Sequence, residues 1–349
     1  MTNHQVTQKY LNLLLRTGII GMLLIATPAG FAIETAFWYE DNNMRKAGGY
    51  PDDFKEMFEN PDSWEQMRRK LSVYCIRGNT LKNVINDLGE EWVIRHFCGL
   101  LKKENIPVAI DNPSLDRIPS IKLLEQNGLV ISHLALQSVL SKFKARSMTP
   151  EQQIQEIRKR IETTVPKLVW LRKTFPQSKI GIIDALPAKG VSYADPYADL
   201  LAKSRSAGAP IQFIHVDAPY SAIEKTLGWK KLHQLKKTIS RDLDLEFGII
   251  VTDNIGGMES NKAFYNQVMR MSRKYPEAAY PDYFILMSWY HHPQYAVRQA
   301  GPQGEYTMTR TALDFFTFTS NRAKKSQMPK STLNQTHSGD LKCPKPPSN

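Results

Sequence analysis

The sequence predicts an α/β fold, a (β/α)8 barrel of the TIM type, on three observations. Short β-branched and apolar runs alternate with amphipathic segments over most of the chain. Several of these runs end on a carboxylate or another polar group, as strands do where they emerge at a barrel mouth. No glycine-rich turn follows the first clear strand, which counts against an open dinucleotide-binding sheet. With 349 residues, 42% of them hydrophobic and six of them tryptophan, the chain can fill one large core.

The elements follow in order. Lys9 and Arg16 precede the apolar run TGIIGMLLIATPAGFA, which closes on the small residues Gly30 and Ala32. That layout predicts a secretory signal peptide over residues 1–32, or a membrane anchor if it stays uncleaved. Both readings send the mature chain across a membrane, so a secreted or periplasmic location is expected, without stable membrane insertion after cleavage. Residues 33–68 read as a lead-in segment with short helices, packed on the barrel. The barrel domain is expected over 69–320. It begins with the strand KLSVYCI and the helix EEWVIRHFCGLLKKE, whose Trp92, Phe97, Leu100 and Leu101 share one face.

The strand IPVAID and the helix IPSIKLLEQNG, stopped by Gly128, come next. LVISHLAL precedes a long helix that opens on Thr149 as N-cap, with Pro150 and Glu151 behind it. The strands KIGIIDAL, IQFIHVD, EFGIIVTD and YFILMSWYHHP follow, with amphipathic helices between them and TMTRTALDFFTFT as the last helix. Seven strands are clear, and an eighth is expected to be irregular or missing, between Tyr295 and Tyr306. Residues 321–349, rich in Lys, Pro, Ser and Asn, read as a disordered basic tail.

The formal charge of +12 does not indicate a nucleic-acid binder. Part of the excess lies in the leader and the tail, and the rest alternates with apolar residues along helices, as on solvated faces. No basic stripe with interleaved aromatics stands out. A basic surface is still compatible with anionic partners such as acidic polysaccharide or membrane lipid. Cys75, Cys98 and Cys343 form no disulfide framework, and two buried free thiols are expected rather than a bridge between Cys75 and Cys98. The sequence contains no CxxC and no metal-type cluster, so neither a cofactor nor a metal is expected.

The strand ends carry the candidate chemistry. VAIDN supplies Asp111 and Asn112, GIIDA supplies Asp184, and FIHVDAPY supplies His215, Asp217 and Tyr220. GIIVTDN supplies Asp253 and Asn254, and LMSWYHHP supplies Trp289, Tyr290 and His291. Arg77 closes the first clear strand, and His133 and Gln137 lie on the third. An unpaired ionised carboxylate is costly in a core, so a strand tolerates one where it leaves the core. Alternation places His215 one layer below Asp217. For a single Asp a helix cap or a turn is the competing role, Asp253 being the clearest case. Trp38, Tyr220, Trp289 and Tyr290 are candidate platforms for the apolar faces of sugar rings, against a plain core role for Trp38 and Trp289.

From ENPDSWEQM to YTMTRTALDFF the chain resembles bacterial secreted proteins of the TIM-barrel glycoside hydrolase superfamily. IQFIHVDAPY, LEFGIIVTDNIGG and PDYFILMSWYHHP carry the resemblance. It implies hydrolysis of a polysaccharide or oligosaccharide by a pair of carboxyl groups. The Asn–Glu and Glu pattern of the large retaining clan is absent from the ends IIDALP and SWYHHP, and no DxxDxDxE run occurs. The carboxyls must then be aspartates: Asp184, Asp217 and Asp253. An arrangement similar to α-galactosidase-like barrels would make Asp184 the nucleophile and Asp253 the acid/base, with Asp217 able to replace either. Two competing functions are a non-catalytic carbohydrate-binding barrel and a metal-dependent hydrolase or isomerase using His133, His215, Asp217 and Asp253.

Overall fold

The computed structural model describes residues 35–42, 49–141, 148–186, 192–298 and 304–327. The leader at 1–32 lies outside them, as do Cys343 and most of the basic tail. The described chain is a closed ring of eight strands, every neighbouring pair parallel. The strands are β1 (Ala36–Tyr39), β2 (Val73–Arg77), β3 (Val108–Asp111), β4 (Ile131–Gln137), β5 (Lys179–Ala185), β6 (Phe213–Asp217), β7 (Glu246–Val251) and β8 (Tyr283–Leu286). Each leads to a main helix: α1 (Phe54–Glu59), α2 (Gly78–Leu88), α3 (Ile118–Gln126), α4 (Pro150–Thr174), α5 (Ala194–Ser206), α6 (Trp229–Lys237), α7 (Asn261–Lys274) and α8 (Met308–Gln327).

The (β/α)8 expectation therefore holds, with one strand misplaced. The eighth strand is not between Tyr295 and Tyr306, where residues 292–298 form a loop and Gly304–Tyr306 a 3-10 turn. It is β1, inside the segment read as a lead-in over 33–68, and it closes the ring by pairing with both β2 and β8. Ala36 and Trp38 face the barrel interior while Tyr39 and Phe37 pack under the helices. With both faces apolar, AFWY shows no alternation to read. Every later strand moves up by one place: KIGIIDA is the fifth, FIHVD the sixth and EFGIIV the seventh. The last helix also continues to Gln327, beyond the tail boundary expected at 320.

Local signals hold elsewhere. Thr149 caps α4 in a full capping box with Gln152, and Gly128 takes a positive φ of 86° past the end of α3. Cys75 and Cys98 are buried free thiols. Among the described residues no helix is long and apolar enough to cross a membrane.

Two apolar layers surround the strands. The outer one lies between sheet and helices, and the inner one fills the barrel with Trp38, Val73, Cys75, Ala109, Ala135, Ile183, Phe213, Ile250, Tyr283, Ile285 and Met287. Large and small residues face each other across it. A Cβ on Gly181 would come within 2.4 Å of Phe213, and one on Gly248 within 2.4 Å of the His215 ring.

Candidate active site

The strand phase decides which polar ends enter the mouth. Interior residues fix that phase: Trp38, Cys75, Ala109, Ala135, Ile183, Phe213, Ile250 and Met287. Even-numbered steps further along the same strands reach Glu40, Arg77, Asp111, Gln137, Ala185, Asp217, Thr252 and Trp289. These eight positions form the uppermost inward layer at the C-terminal end, where sites of this fold are built.

One wall comes from β1 to β4. The Cys75 thiol donates to Glu40 Oε2 at 3.1 Å, and Gln137 Nε2 donates to Asp111 Oδ2. Arg77 Nη2 donates to Gln137 Oε1 at 2.7 Å. Asp111 is fully buried, and its Oδ1 has no partner. Burial, and then the charge of Glu40, push the Asp111 carboxyl well above the usual range, while Arg77 and Gln137 pull the other way. The same two acids and burial raise the Cys75 thiol, which stays protonated.

The opposite wall is β6 to β8. Asp217 retains some solvent contact, yet its Oδ1 is buried without a partner, as is Thr252 Oγ1. Burial pushes the Asp217 carboxyl up to about 7. Half-buried Trp289 and Tyr290 stand beside it on the loop after β8. Burial raises the Tyr290 hydroxyl to about 12, with smaller contributions from Asp217 and Asp253. That loop is held firmly. Asn42 Nδ2 donates to Tyr290 O and Pro293 O, both at 2.8 Å, and Ser288 Oγ donates to His292 O at 2.7 Å. Asp53 accepts the backbone N–H groups of Ala296, Val297 and Arg298 at 2.7, 2.8 and 2.6 Å.

Beneath the mouth lies an aromatic plug. Trp38 packs between the rings of His133 and His215, with centroids 4.5 and 4.9 Å away, and Phe213 and Tyr283 complete the layer. Burial lowers the imidazole of His133 to about 3 and that of His215 well below its usual value, so both are neutral. Trp38 Nε1, His133 Nε2 and His215 Nε2 are buried without partners.

Several expected site residues are placed elsewhere. Asp184 is one residue out of phase with Ile183 and points under the helices. Its Oδ1 accepts from Leu140 N at 2.9 Å, Ser141 N at 3.1 Å and Ser141 Oγ at 2.9 Å, which pins the β4 loop. Asp253, one past Thr252, accepts from Ser221 N and Gly256 N at 2.8 Å each and caps the short helix that follows. The structure gives both carboxylates a local structural partner, and of the three aspartates Asp217 is the one on the inward phase.

Tyr220 is buried in the outer layer, and the exposed Asn254 accepts from Ser221 Oγ. Trp38 and His215 are buried in the barrel interior, ring against ring, rather than presented at the mouth. Asn112 turns outward with φ 51°, its carbonyl accepting from Arg117 Nη1 at 2.8 Å. It lines a flanking groove of about 670 Å3 between the loop after β3 and α4. His291 is exposed, and His292 Nδ1 lies 2.7 Å from Asn261 Oδ1. Arg77, Asp111, Asp217, Trp289 and Tyr290 remain at the mouth. Glu40 was missed, because its role is visible only once AFWY is known to be a strand. Gln137 was noted as a strand residue without a role.

Among the described residues no group of three or more His, Cys, Asp or Glu side chains is arranged to hold a metal ion. His133 and His215 lie in the plug, and both Asp253 oxygens accept backbone N–H groups, so this set does not fit a metal site.

No protein-family model matches the chain, and no curated protein matches it. Solved structures similar to it are barrels. Xylanase 10B from Thermotoga maritima is 10% identical with a TM-score of 0.48, over 83% of this chain and 96% of that one. Xylanase A from P fluorescens subsp. cellulosa, in complex with xylopentaose, is 9% identical with a TM-score of 0.46, over 80% and 98%. The tryptophan synthase alpha chain from Legionella pneumophila subsp. pneumophila is 7% identical with a TM-score of 0.42, over 84% and 94%. These likenesses extend to enzymes of different chemistry and concern the fold. After renumbering, strand four ends on Gln137 and strand seven on Val251, with Thr252–Asp253 following, so the Asn–Glu and Glu pattern is absent there too.

Proposed function

We propose that the protein is a glycoside hydrolase acting on a polysaccharide or oligosaccharide. The supporting observation is that three carboxyls on the inward phase at the C-terminal ends of β1, β3 and β6, Glu40, Asp111 and Asp217, line the mouth, two of them with a buried oxygen that has no partner among the described residues. Such oxygens await a ligand hydroxyl or water.

Glycoside hydrolysis requires one protonated and one ionised carboxyl across the scissile bond. Asp217 is the acid: with its carboxyl raised to about 7 it carries a proton under mildly acidic conditions. It donates that proton to the glycosidic oxygen as the C–O bond breaks. The ionised partner comes from the Glu40–Asp111 pair on the other wall, where mutual repulsion favours a single charge. This carboxylate either attacks the anomeric carbon or takes a proton from the attacking water. Trp289 and Tyr290 supply apolar faces for a pyranose ring. The leader predicted at 1–32 would deliver the enzyme to a secreted or periplasmic substrate.

The test is a polysaccharide panel with wild type, Asp217→Asn and Glu40→Gln in parallel. Reducing ends released by wild type and by neither variant are expected. Oligosaccharide binding without release by wild type would instead identify a non-catalytic carbohydrate-binding barrel.

A further inference from the structure

We propose that the sugar bound at this mouth carries a carboxylate, a uronic acid residue, and that Arg77 reads it. This rests on the glycoside reading and narrows its substrate class.

Arg77 closes β2 on the inward phase, half-buried at the rim, with Asp111 as its register partner on β3. A guanidinium offers five donors in a planar fork. Here it makes one hydrogen bond, to Gln137 Oε1, and among the described residues no carboxylate oxygen lies within 4.0 Å of it. Gln137 is itself oriented by Asp111, so the fork is aimed before any ligand arrives. The remaining donors match a planar carboxylate better than a sugar hydroxyl.

A second feature has the same sign. The 11-residue helix α2 starts immediately after Arg77, and its first turn has no side-chain cap. Its N-terminal amides put partial positive charge at the rim beside the guanidinium. The third is Asp111 Oδ1, fully buried and unpartnered on the adjacent strand. A uronate supplies both complements on one ring: a carboxylate for Arg77 and a hydroxyl donor for the orphaned oxygen. The chain stays net basic without the two cationic residues of the leader, Lys9 and Arg16, which would favour a polyanionic substrate.

The experiment uses Asp217→Asn protein, so that ligand is not consumed. Calorimetry would compare oligogalacturonate, oligomannuronate and oligoglucuronate fragments with their carboxyl-reduced counterparts and with sulfated neutral fragments. At least one oligouronate is expected to bind tenfold or more tightly than its reduced form, with affinity falling as salt rises. Adding Arg77→Gln should abolish that preference, so that the charged and reduced forms of the same fragment then bind within about twofold of each other. Arg77→Lys, which keeps the charge but loses the fork, should restore it only partly. Equal binding of charged and reduced forms, tighter binding of the sulfated fragments, or a preference that survives Arg77→Gln would overturn the uronate inference and leave the hydrolase reading intact. Binding of none of these ligands would also overturn the uronate inference, and the hydrolase reading would then be decided by reducing-end release from the polysaccharide panel.

Discussion

Asp184 and Asp217 stand at the C-terminal ends of adjacent strands, one step apart in register, since Ala185 pairs with Asp217. Burial pushes both carboxyls up to about 7. Each also has one buried oxygen without a partner, Asp184 Oδ2 and Asp217 Oδ1, yet Asp184 accepts three hydrogen bonds through its other oxygen. A raised pKa therefore does not by itself mark a catalytic acid. What separates the two is phase: one residue along a strand exchanges the mouth for the space under the helices. The same rule divides the rest of the rim. Glu40 and Asp111 point inward, whereas Asp41 binds the Tyr39 and Tyr74 hydroxyls and Asp253 caps a helix.

The sharpest way to break the comparison is activity. Asp217→Asn should lower kcat on the cleaved glycan by about a thousandfold, the range expected for losing a general acid. Asp184→Ala should leave kcat of the folded protein within about twofold. Equal losses in both variants would collapse the distinction. Wild-type kcat should also fall as pH rises through about 7, where Asp217 gives up its proton.

Stability should respond in the opposite order. A folded carboxyl that holds its proton to about pH 7 contrasts with an unfolded aspartate that ionises near about 4. Its contribution is full below about pH 4 and is lost as pH rises through 7. At pH 8, Asp217→Asn removes that penalty and should stabilise the protein by about 2 kcal/mol, after allowance for partial solvent contact. At pH 5.5, below the midpoint of Asp184, Asp184→Ala should instead cost about 2 kcal/mol, because buried donors of the β4 loop are left unsatisfied. Urea unfolding at the two pH values measures both.

How much of this could be read from the sequence follows from the same rule. Seven strands declared themselves through bounded apolar runs, and Thr149, Pro150 and Gly128 marked helix ends through their own backbone chemistry. AFWY did not, because a strand buried on both faces has no alternation and four residues are too few to distinguish it. That one gap hid Glu40 and shifted every later strand number. Within GIIDA and FIHVD the composition at the end is similar, and only knowledge of which alternate residues fill the interior tells Asp184 from Asp217. That knowledge depends on neighbours remote in sequence: Gly181 is small because Phe213 occupies its space, and Gly248 because His215 does.

This last pairing gives a further prediction, independent of any substrate. Gly248→Ala would bring a methyl group within 2.4 Å of His215 Cδ2 and 2.9 Å of Ile285 Cδ1. His215 packs against the rings of both Trp38 and Phe213 and has little room to yield. A loss of about 1–3 kcal/mol is expected from overpacking. Gly181→Ala should cost at least as much, since its new methyl also meets the Phe213 carbonyl at 2.4 Å, and backbone moves less readily than a side chain.

The smallest effect tests the wall opposite Asp217. Cys75 is buried beside Glu40 and Asp111, and its thiol donates to Glu40. Cys75→Ser keeps a donor in nearly the same place, so stability should change by no more than about 1 kcal/mol. The limb of the kcat profile near pH 7, set by Asp217 across the barrel, should stay in place. A shift of that limb in Cys75→Ser would mean that the two walls titrate as one unit, and the division between them would have to be abandoned.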